Sequence, residues 1–225
     1  TPQGERLLVH ARRMLRQNSL ALQDIHDERL EGRVRLGIPD DYVIFLPHAL
    51  ADFETQYPDI QLEVQCGLSI DLVESVWAGR LDLAVVTRQT NSPGGEMLRR
   101  EPIVWAGARD HDTASRRPLP LAVSKQGVCI FREHTLSALD AADIPWRIAY
   151  TSASLSGISI AVQAGLAITA LTPSMLGSHL RPLGSEEGLP ELPAVEIAIH
   201  YGREHSSEGA LQLFKSLQEK LYNLP

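Results

Sequence analysis

The chain has 225 residues, with 28 acidic and 21 basic side chains and a formal net charge of −7. This length is enough for one large domain or two smaller lobes, and a hydrophobic content of 44% allows a real core. The acidic balance argues against nucleic-acid binding by this segment itself. No apolar run approaches the roughly 18 residues that a membrane span needs, so we expect no membrane partner.

The first thirty residues are predicted to form one long helix with an apolar seam. Thr1 and Pro2 suit its N-cap and first turn, and Gly32 ends the pattern. The seam positions alternate in steps of three and four, which is typical of a helix packed against a partner helix. The predicted dimerisation residues are Leu8, Ala11, Leu15, Asn18, Leu22 and Ile25. The alternative is an amphipathic helix that packs on its own domain.

Strand and helix patterns alternate after this helix. Residues 81–86 form a continuous apolar run, typical of a strand covered on both faces, and Pro47 is tolerated only near the first turn of its helix. The predicted elements are strands at 34–38, 60–66 and 81–86 and helices at 42–57 and 70–78. This order predicts a parallel sheet with right-handed crossovers.

The second half repeats the alternation less regularly. Strands are predicted at 103–106, 119–123, 128–131, 146–150, 167–171 and 195–201, and helices at 134–142, 155–164, 173–176 and 208–221. Irregular structure is the alternative at 119–123 and at 128–131. Residues 177–193 are rich in Pro and Gly and are predicted to be irregular. Two α/β halves joined by strands at 103–108 and 194–201 suggest two lobes with a cleft between them.

Cysteine usage and the absence of enzyme motifs narrow the function. Cys66 and Cys129 lie in apolar, strand-like runs, which suits a reduced, cytoplasmic protein and a structural role for the Cys129 thiol. No G-x-S-x-G, H-E-x-x-H, G-x-x-x-x-G-K-[ST] or G-x-G-x-x-G occurs. The spacing of His200, His205 and the segment 110–112 matches no zinc pattern. We therefore expect no catalytic residue, no metal and no cofactor.

Five segments together resemble one family. TPQGERLL at 1–8 followed by ARRML resembles the junction between a winged helix-turn-helix and a dimerising linker helix in LysR-type bacterial transcription regulators. The other segments resemble that family's effector-binding domain. They are GRVRLGIPDDYVIFLPHALADFETQYPDIQLEV, AGRLDLAVVT, EPIVWAGARDH and TSASLSGISIAVQAGLAITALTPSML. The resemblance spans nearly all of the chain, but the DNA-binding winged helix-turn-helix is not part of it.

The resemblance implies an α/β fold of two Rossmann-like lobes, like the type 2 periplasmic binding proteins, with an N-terminal linker helix. It also implies an effector cleft between the lobes and homodimers or homotetramers. We assign the linker to 1–31, lobe I to 32–107 and 202–225, and lobe II to 108–201. Segments 60–66 and 70–78 are candidates for a further contact between protomers.

The effector site is predicted beyond the carboxyl ends of the strands, where ligands of open α/β sheets gather. The hydroxyl-rich turn at 151–157 precedes a helix and suits an anion, with Arg132 as a charged partner. An acidic pair at 40–41 favours a neutral, hydroxylated or cationic ligand group at the opposite corner. The predicted effector-binding residues are Asp40, Tyr42, Ser69, Thr87, Arg132, Thr151, Ser152, Ser154, Ser156 and Thr172. The alternative is that Ser154 and Asp40 simply cap their helices.

Three functions remain open from the sequence. The first is the ligand-sensing and oligomerisation part of a LysR-type regulator, which binds a small organic acid and acts on DNA through its N-terminal domain. The second is a solute-binding protein of a transporter, and the third is an enzyme on a similar two-lobed scaffold. The predicted dimer seam favours the first function, because a transport receptor is usually monomeric, and no acid–base pair supports the third.

Overall fold

The computed structural model describes residues 30–40, 42, 46–92, 94–202 and 207–222, together with positions 1, 3, 7, 11 and 14. Positions 3, 7, 11 and 14 are helical. The rest of the predicted seam lies outside the described residues: Leu8, Leu15, Asn18, Leu22 and Ile25. The predicted role of this helix in dimerisation therefore stays a prediction.

Strands and helices alternate along the described chain. In chain order they are β1 (Gly32–Ile38), α1 (Leu46–Gln56), β2 (Ile60–Cys66), α2 (Ser69–Trp77), β3 (Leu83–Thr87), β4 (Glu96–Glu101), β5 (Val104–Ala108), β6 (Leu119–Val123), α3 (Ile130–Ala141), β7 (Trp146–Thr151), α4 (Leu155–Gln163), β8 (Thr169–Leu171), β9 (Leu180–Leu183), β10 (Val195–Tyr201) and α5 (Glu208–Tyr222). Short 3-10 turns lie at Pro173–Met175 and Ser185–Glu187.

Lobe I is built on a five-stranded sheet with the strand order β2-β1-β3-β10-β4. Strand β1 pairs in parallel with both β2 and β3, which confirms the parallel sheet predicted for the first half. Alternate residues of β3 face opposite sides, so that Leu83 and Val85 join the core that contains α1 and α5, whereas Ala84 and Val86 pack against α2. Helices on both faces explain the continuous apolar run of this strand.

Lobe II is built on a three-stranded sheet of order β8-β5-β9 and a parallel pair, β6-β7. An isolated parallel bridge between Leu121 and Ile168 connects the two sheets, and the Ala122 amide donates to the Ile168 carbonyl at 2.8 Å. Trp105 of β5 is 2% exposed and lies in the core formed with Leu121 and Ile168. Helices α3 and α4 pack on these strands.

Each strand near the lobe junction pairs within a single sheet. Strand β5 pairs with β8 and β9, and β10 pairs with β3 and β4. The chain therefore passes between the sheets in the short segments just before β5 and β10, rather than within the strands as predicted. Leu192, in the second segment, packs against the cores of both lobes.

Four predicted assignments differ from the structure. Residues 128–131 are not a strand, because α3 begins at Ile130, and an apolar run this short does not distinguish helix from strand. Tyr42 lies in a turn rather than in a helix, although Pro47 does fall in the first described turn of α1. Strand β4 was missed because its sequence, EMLRRE, is mostly charged and forms an edge of the sheet. Strand β9 lies in the segment predicted to be irregular.

Candidate functional site

A cleft of about 310 Å³ lies where the strand ends of lobe I meet the first turns of α3 and α4. The position agrees with the rule that ligands of open α/β sheets bind beyond the carboxyl ends of the strands. Of the predicted effector-binding residues, those that line this cleft are Asp40, Ser69, Thr87, Arg132, Ser152 and Ser154. Their contact with a ligand remains a prediction.

The other predicted residues do not line this cleft. Tyr42 is 2% exposed in the core of lobe I, where its hydroxyl donates to Oε2 of Glu101 at 3.3 Å. Thr172 is fully buried, and its hydroxyl lies 2.7 Å from that of Ser174. Thr151 and Ser156 are exposed outside the cleft lining. The sequence did not distinguish these two hydroxyls from those of Ser152 and Ser154, because it does not reveal in which direction each side chain of the 151–157 turn points.

Two serines shape the first turn of α4 at the cleft. Ser154 has an extended backbone at the N-cap position, and its hydroxyl accepts a hydrogen bond from the Gly157 amide at 3.2 Å. The Ser152 hydroxyl accepts one from the Ser154 amide at 3.2 Å. A Cβ on Gly157 would lie 2.2 Å from the Ser152 hydroxyl oxygen, so this close turn requires glycine. Ser154 thus caps its helix, as the alternative proposed, and also faces the cleft.

Three helices, α2, α3 and α4, begin at the cleft, since Ser69, Cys129 and Ser154 all line it. The N-terminus of a helix carries a partial positive charge and unpaired amides. Leu68 and Cys129, the N-cap residues of α2 and α3, provide no side-chain cap. The convergence of these helices favours a negatively charged ligand group.

Gln89 is a lining residue that the sequence analysis missed. It is 6% exposed, its Nε2 donates to the Thr87 carbonyl at 2.8 Å, and its Oε1 accepts from the Ile130 amide at 2.7 Å. Its position two residues beyond Thr87, at the carboxyl end of β3, was the available signal. The sequence analysis also missed other side chains of the lining: Asp71, Ser124, Phe131, Thr135 and Met175.

Charged groups of opposite sign stand on opposite walls of the cleft. Asp40 and Asp71 belong to lobe I, whereas Arg132 belongs to α3 of lobe II. The Arg132 guanidinium donates to the Ser124 carbonyl at 2.6 Å, which fixes it at the wall. Among the lining residues that the structure describes, Arg132 is the one with a permanent positive charge. The cleft therefore suits a ligand with a negative group toward lobe II and a positive or hydroxylated group toward lobe I.

The two cysteines do not both lie in strands. Cys129 is half-buried at the N-cap of α3 and lines the cleft, whereas Cys66 is exposed at the end of β2. Partial burial raises the pKa of the Cys66 thiol, and the neighbouring Asp40 carboxylate raises it further by its charge and by accepting a hydrogen bond. The thiol is therefore held in its neutral, less nucleophilic form.

Replacing Asp40 by asparagine is expected to increase the alkylation rate of Cys66 at pH 8. Loss of the negative charge lowers the thiol pKa and raises the fraction of reactive thiolate, so we expect a severalfold rise. Iodoacetamide labelling followed by peptide mass spectrometry measures this rate. Asp71→Asn is the matched control, and an equal effect of both substitutions would contradict the assignment to Asp40.

Comparisons with known proteins identify the family. The chain matches the family described as LysR substrate binding domain over residues 27–221. It is 36% identical over 210 residues to the HTH-type transcriptional regulator DgdR of Burkholderia cepacia, covering 92% of this chain and 70% of the relative. It is 29% identical to the HTH-type transcriptional regulator PecT of Dickeya dadantii (strain 3937), covering 97% of this chain and 69% of the relative.

Solved structures show the same fold. The chain aligns with HinK, a LysR family transcriptional regulator from Pseudomonas aeruginosa, with a TM-score of 0.68 and 19% identity, covering 100% of this chain and 82% of that structure. A putative LysR family regulator from the same organism gives a TM-score of 0.69 at 19% identity, covering 98% of this chain and 83% of that structure.

The fold and the interlobe cleft are those of an effector-binding domain, and the chain belongs to the LysR substrate binding domain family. It is the effector-binding portion of a LysR-type transcription regulator, as the resemblance implied. The transporter alternative is not favoured, because the relatives are transcriptional regulators. Within the described residues, no helix is long and apolar enough to cross a membrane.

Proposed function

We propose that the cleft binds a small organic acid whose carboxylate lies at the first turn of α4 and whose cationic or hydroxylated group lies near Asp40. The observation that carries this proposal is the placement of Ser152, Ser154 and Arg132 opposite Asp40 and Asp71 in one cleft. Charge-assisted hydrogen bonds from Arg132 and helix amides stabilise a carboxylate. The two aspartates attract an ammonium group in the same ligand.

The signalling step is a shift in the population of lobe arrangements. A ligand changes an equilibrium only if it binds one arrangement more tightly than the other. We propose that the two lobes follow the predicted bounds, 32–107 with 202–225 and 108–201, except that β5 belongs to lobe II and β10 to lobe I, as their strand pairing indicates. We further propose that the 1–31 linker helix pairs two protomers in a homodimer or homotetramer. The linker then passes the change to N-terminal DNA-binding domains. The relatives, as transcriptional regulators, support a cytoplasmic, non-catalytic role.

Three ligands that share one branched apolar group test which charges the cleft recognises. L-valine carries both charged groups, isovalerate lacks the ammonium group, and isobutylamine lacks the carboxylate. We expect isothermal titration calorimetry to rank their affinities as valine, then isovalerate, then isobutylamine. Native mass spectrometry of freshly purified protein adds the subunit number and any small molecule bound since expression. The proposal is wrong if isobutylamine binds as tightly as isovalerate.

Variants of α3 and α4 locate the carboxylate. Arg132→Met is expected to weaken the binding of valine about tenfold, and Ser154→Ala by about threefold or more, since each removes a group that stabilises the anion or its helix turn. Ser156→Ala is the matched control, because Ser156 lies in the same turn but outside the cleft lining. Equal binding by all of these variants would exclude the α4 turn as the anion site.

A further inference from the structure

We infer that Gln89 is a specificity-determining residue that restricts the cleft to ligands with a single carboxylate. Its side chain reaches from lobe I to α3 of lobe II and accepts a hydrogen bond from the Ile130 amide. This amide is then not available to a second carboxylate. This inference rests on the proposed function of the cleft and extends it to the chemical class of the ligand.

The first turn of α3 lacks a cap from its own segment. Cys129, the N-cap residue, has an extended backbone, and its side chain does not cap the helix. The amide of Ile130 instead donates to Oε1 of Gln89 at 2.7 Å, and this contact is buried. A neutral acceptor from the other lobe thus fills a position that carries a partial positive charge.

Both ends of the Gln89 carboxamide are used. Nε2 donates to the Thr87 carbonyl at 2.8 Å while Oε1 accepts from the Ile130 amide. A carboxamide carries both a donor and an acceptor, so one side chain makes both contacts at once. An ionised carboxylate at this point would place an oxygen against the Thr87 carbonyl oxygen, where both groups are acceptors. The pair of contacts thus selects a neutral side chain over an anion.

Neighbouring contacts hold the same junction between the lobes. The Thr90 hydroxyl donates to Oε2 of Glu133, on the first turn of α3, at 2.9 Å. Ile130 itself is 9% exposed and belongs to the core cluster of lobe I. Because α3 is fixed to lobe I at this turn, the amide of Ile130 does not become free through a small rotation of the Gln89 side chain alone.

The rest of the cleft provides little for a second carboxylate. The α4 turn and Arg132 serve the first carboxylate in the proposed function. Asp40 and Asp71 line the lobe I wall and repel a second anion. The uncapped first turn of α2 carries Asp71, which repels an anion there, and Gln89 occupies the first amide of α3. We therefore expect the cleft to bind a monocarboxylate more tightly than a dicarboxylate.

Amide hydrogen exchange tests the interlobe bond without any ligand. We expect Gln89→Ala to accelerate exchange of the Ile130 amide about tenfold or more, because a buried amide that loses its partner exchanges through smaller openings. Gln89→Met, which keeps most of the side-chain volume, separates loss of the hydrogen bond from loss of packing. Ser137→Ala is the control, since Ser137 is exposed on α3 and lies outside the cleft lining. Unchanged exchange in both Gln89 variants would overturn the interlobe bond.

Glutamine and glutamate test the specificity, because they differ only in the second carboxylate. We expect the wild-type cleft to prefer free glutamine, and the ratio of glutamate to glutamine affinity to rise about tenfold in Gln89→Ala, where the α3 amide becomes available for a charge-assisted hydrogen bond. The Ser137→Ala variant should leave this ratio unchanged. Calorimetry or ligand-detected NMR provides the affinities.

The outcomes separate this inference from the proposed function. A constant glutamate-to-glutamine ratio in Gln89→Ala, with valine still bound, overturns the specificity role and leaves the organic-acid cleft intact. Failure of valine, glutamine and glutamate to bind any variant overturns both. A selective gain in glutamate affinity in Gln89→Ala, together with faster exchange of the Ile130 amide, supports Gln89 as the residue that excludes a second carboxylate.

Discussion

Replacing Trp105 by alanine is expected to lower the free energy of unfolding by about 3–5 kcal/mol, the usual range when a large aromatic side chain is removed from a core. Trp105 is 2% exposed in the core of lobe II. Its indole Nε1 donates to the Pro190 carbonyl at 2.7 Å, so the same side chain ties β5 to the segment that leads back to lobe I. The substitution removes both the packing and this hydrogen bond.

Urea denaturation monitored by circular dichroism measures the loss at Trp105. Trp105→Phe should fall between wild type and Trp105→Ala, because it keeps most of the apolar volume but leaves the Pro190 carbonyl without its donor. Trp77→Ala is the matched control, since Trp77 is 69% exposed and its removal should cost less than about 1 kcal/mol. Similar losses for Trp105→Ala and Trp77→Ala would contradict the assignment of Trp105 to the core.

Replacing Arg99 by methionine is expected to cost about 3–5 kcal/mol, since it leaves a buried carboxylate without its charged partner. Glu101 is 2% exposed at the end of β4, and its Oε1 lies 3.0 Å from Nε of Arg99. The Tyr42 hydroxyl donates to the other carboxylate oxygen. The loss arises from the uncompensated charge rather than from the missing ion pair itself.

A double substitution tests this cause. Arg99→Met combined with Glu101→Gln removes the buried charge together with its partner and should recover most of the stability lost in Arg99→Met. Urea denaturation of wild type, both single variants and the double variant gives the coupling between the two positions. If the double variant is as unstable as the sum of the single variants, the two side chains are not coupled and the explanation fails.

The regular part of the fold was predictable because the pattern of apolar residues repeats with the period of each element. The continuous run in β3 predicted a strand covered on both faces, and the order of strands and helices predicted the parallel pairing of β1 with β2 and β3. The alternation in β2 predicted a strand but not its burial, since Val64 and Cys66 are exposed. Strand β4 escaped the prediction because an edge strand carries charged residues on positions that a central strand keeps apolar. The strand predicted at 128–131 was wrong because Gln89, which is distant in sequence, caps a helix there.

The site was only partly predictable, because it depends on side-chain directions and on contacts between residues that are distant in sequence. Strand ends and helix starts can be located from the sequence, and they led to Asp40, Thr87 and Ser154. Arg132 was predicted at the end of a strand but lies in the first turn of α3. The direction of each side chain depends on tertiary packing, which places Tyr42 in a core beside a buried carboxylate instead of in the cleft. Gln89 acts through a contact across 41 positions of sequence, and no local pattern encodes such a contact.

The most direct test of an effector site between the lobes is a map of backbone amide chemical shifts during titration with L-valine. We expect the largest chemical-shift changes at two places that face each other across the cleft. These are the Ser152–Gly157 turn and the first turn of α2 at Ser69. Changes centred elsewhere, such as the exposed surface around Trp77 and Gly79, would contradict an effector site between the lobes.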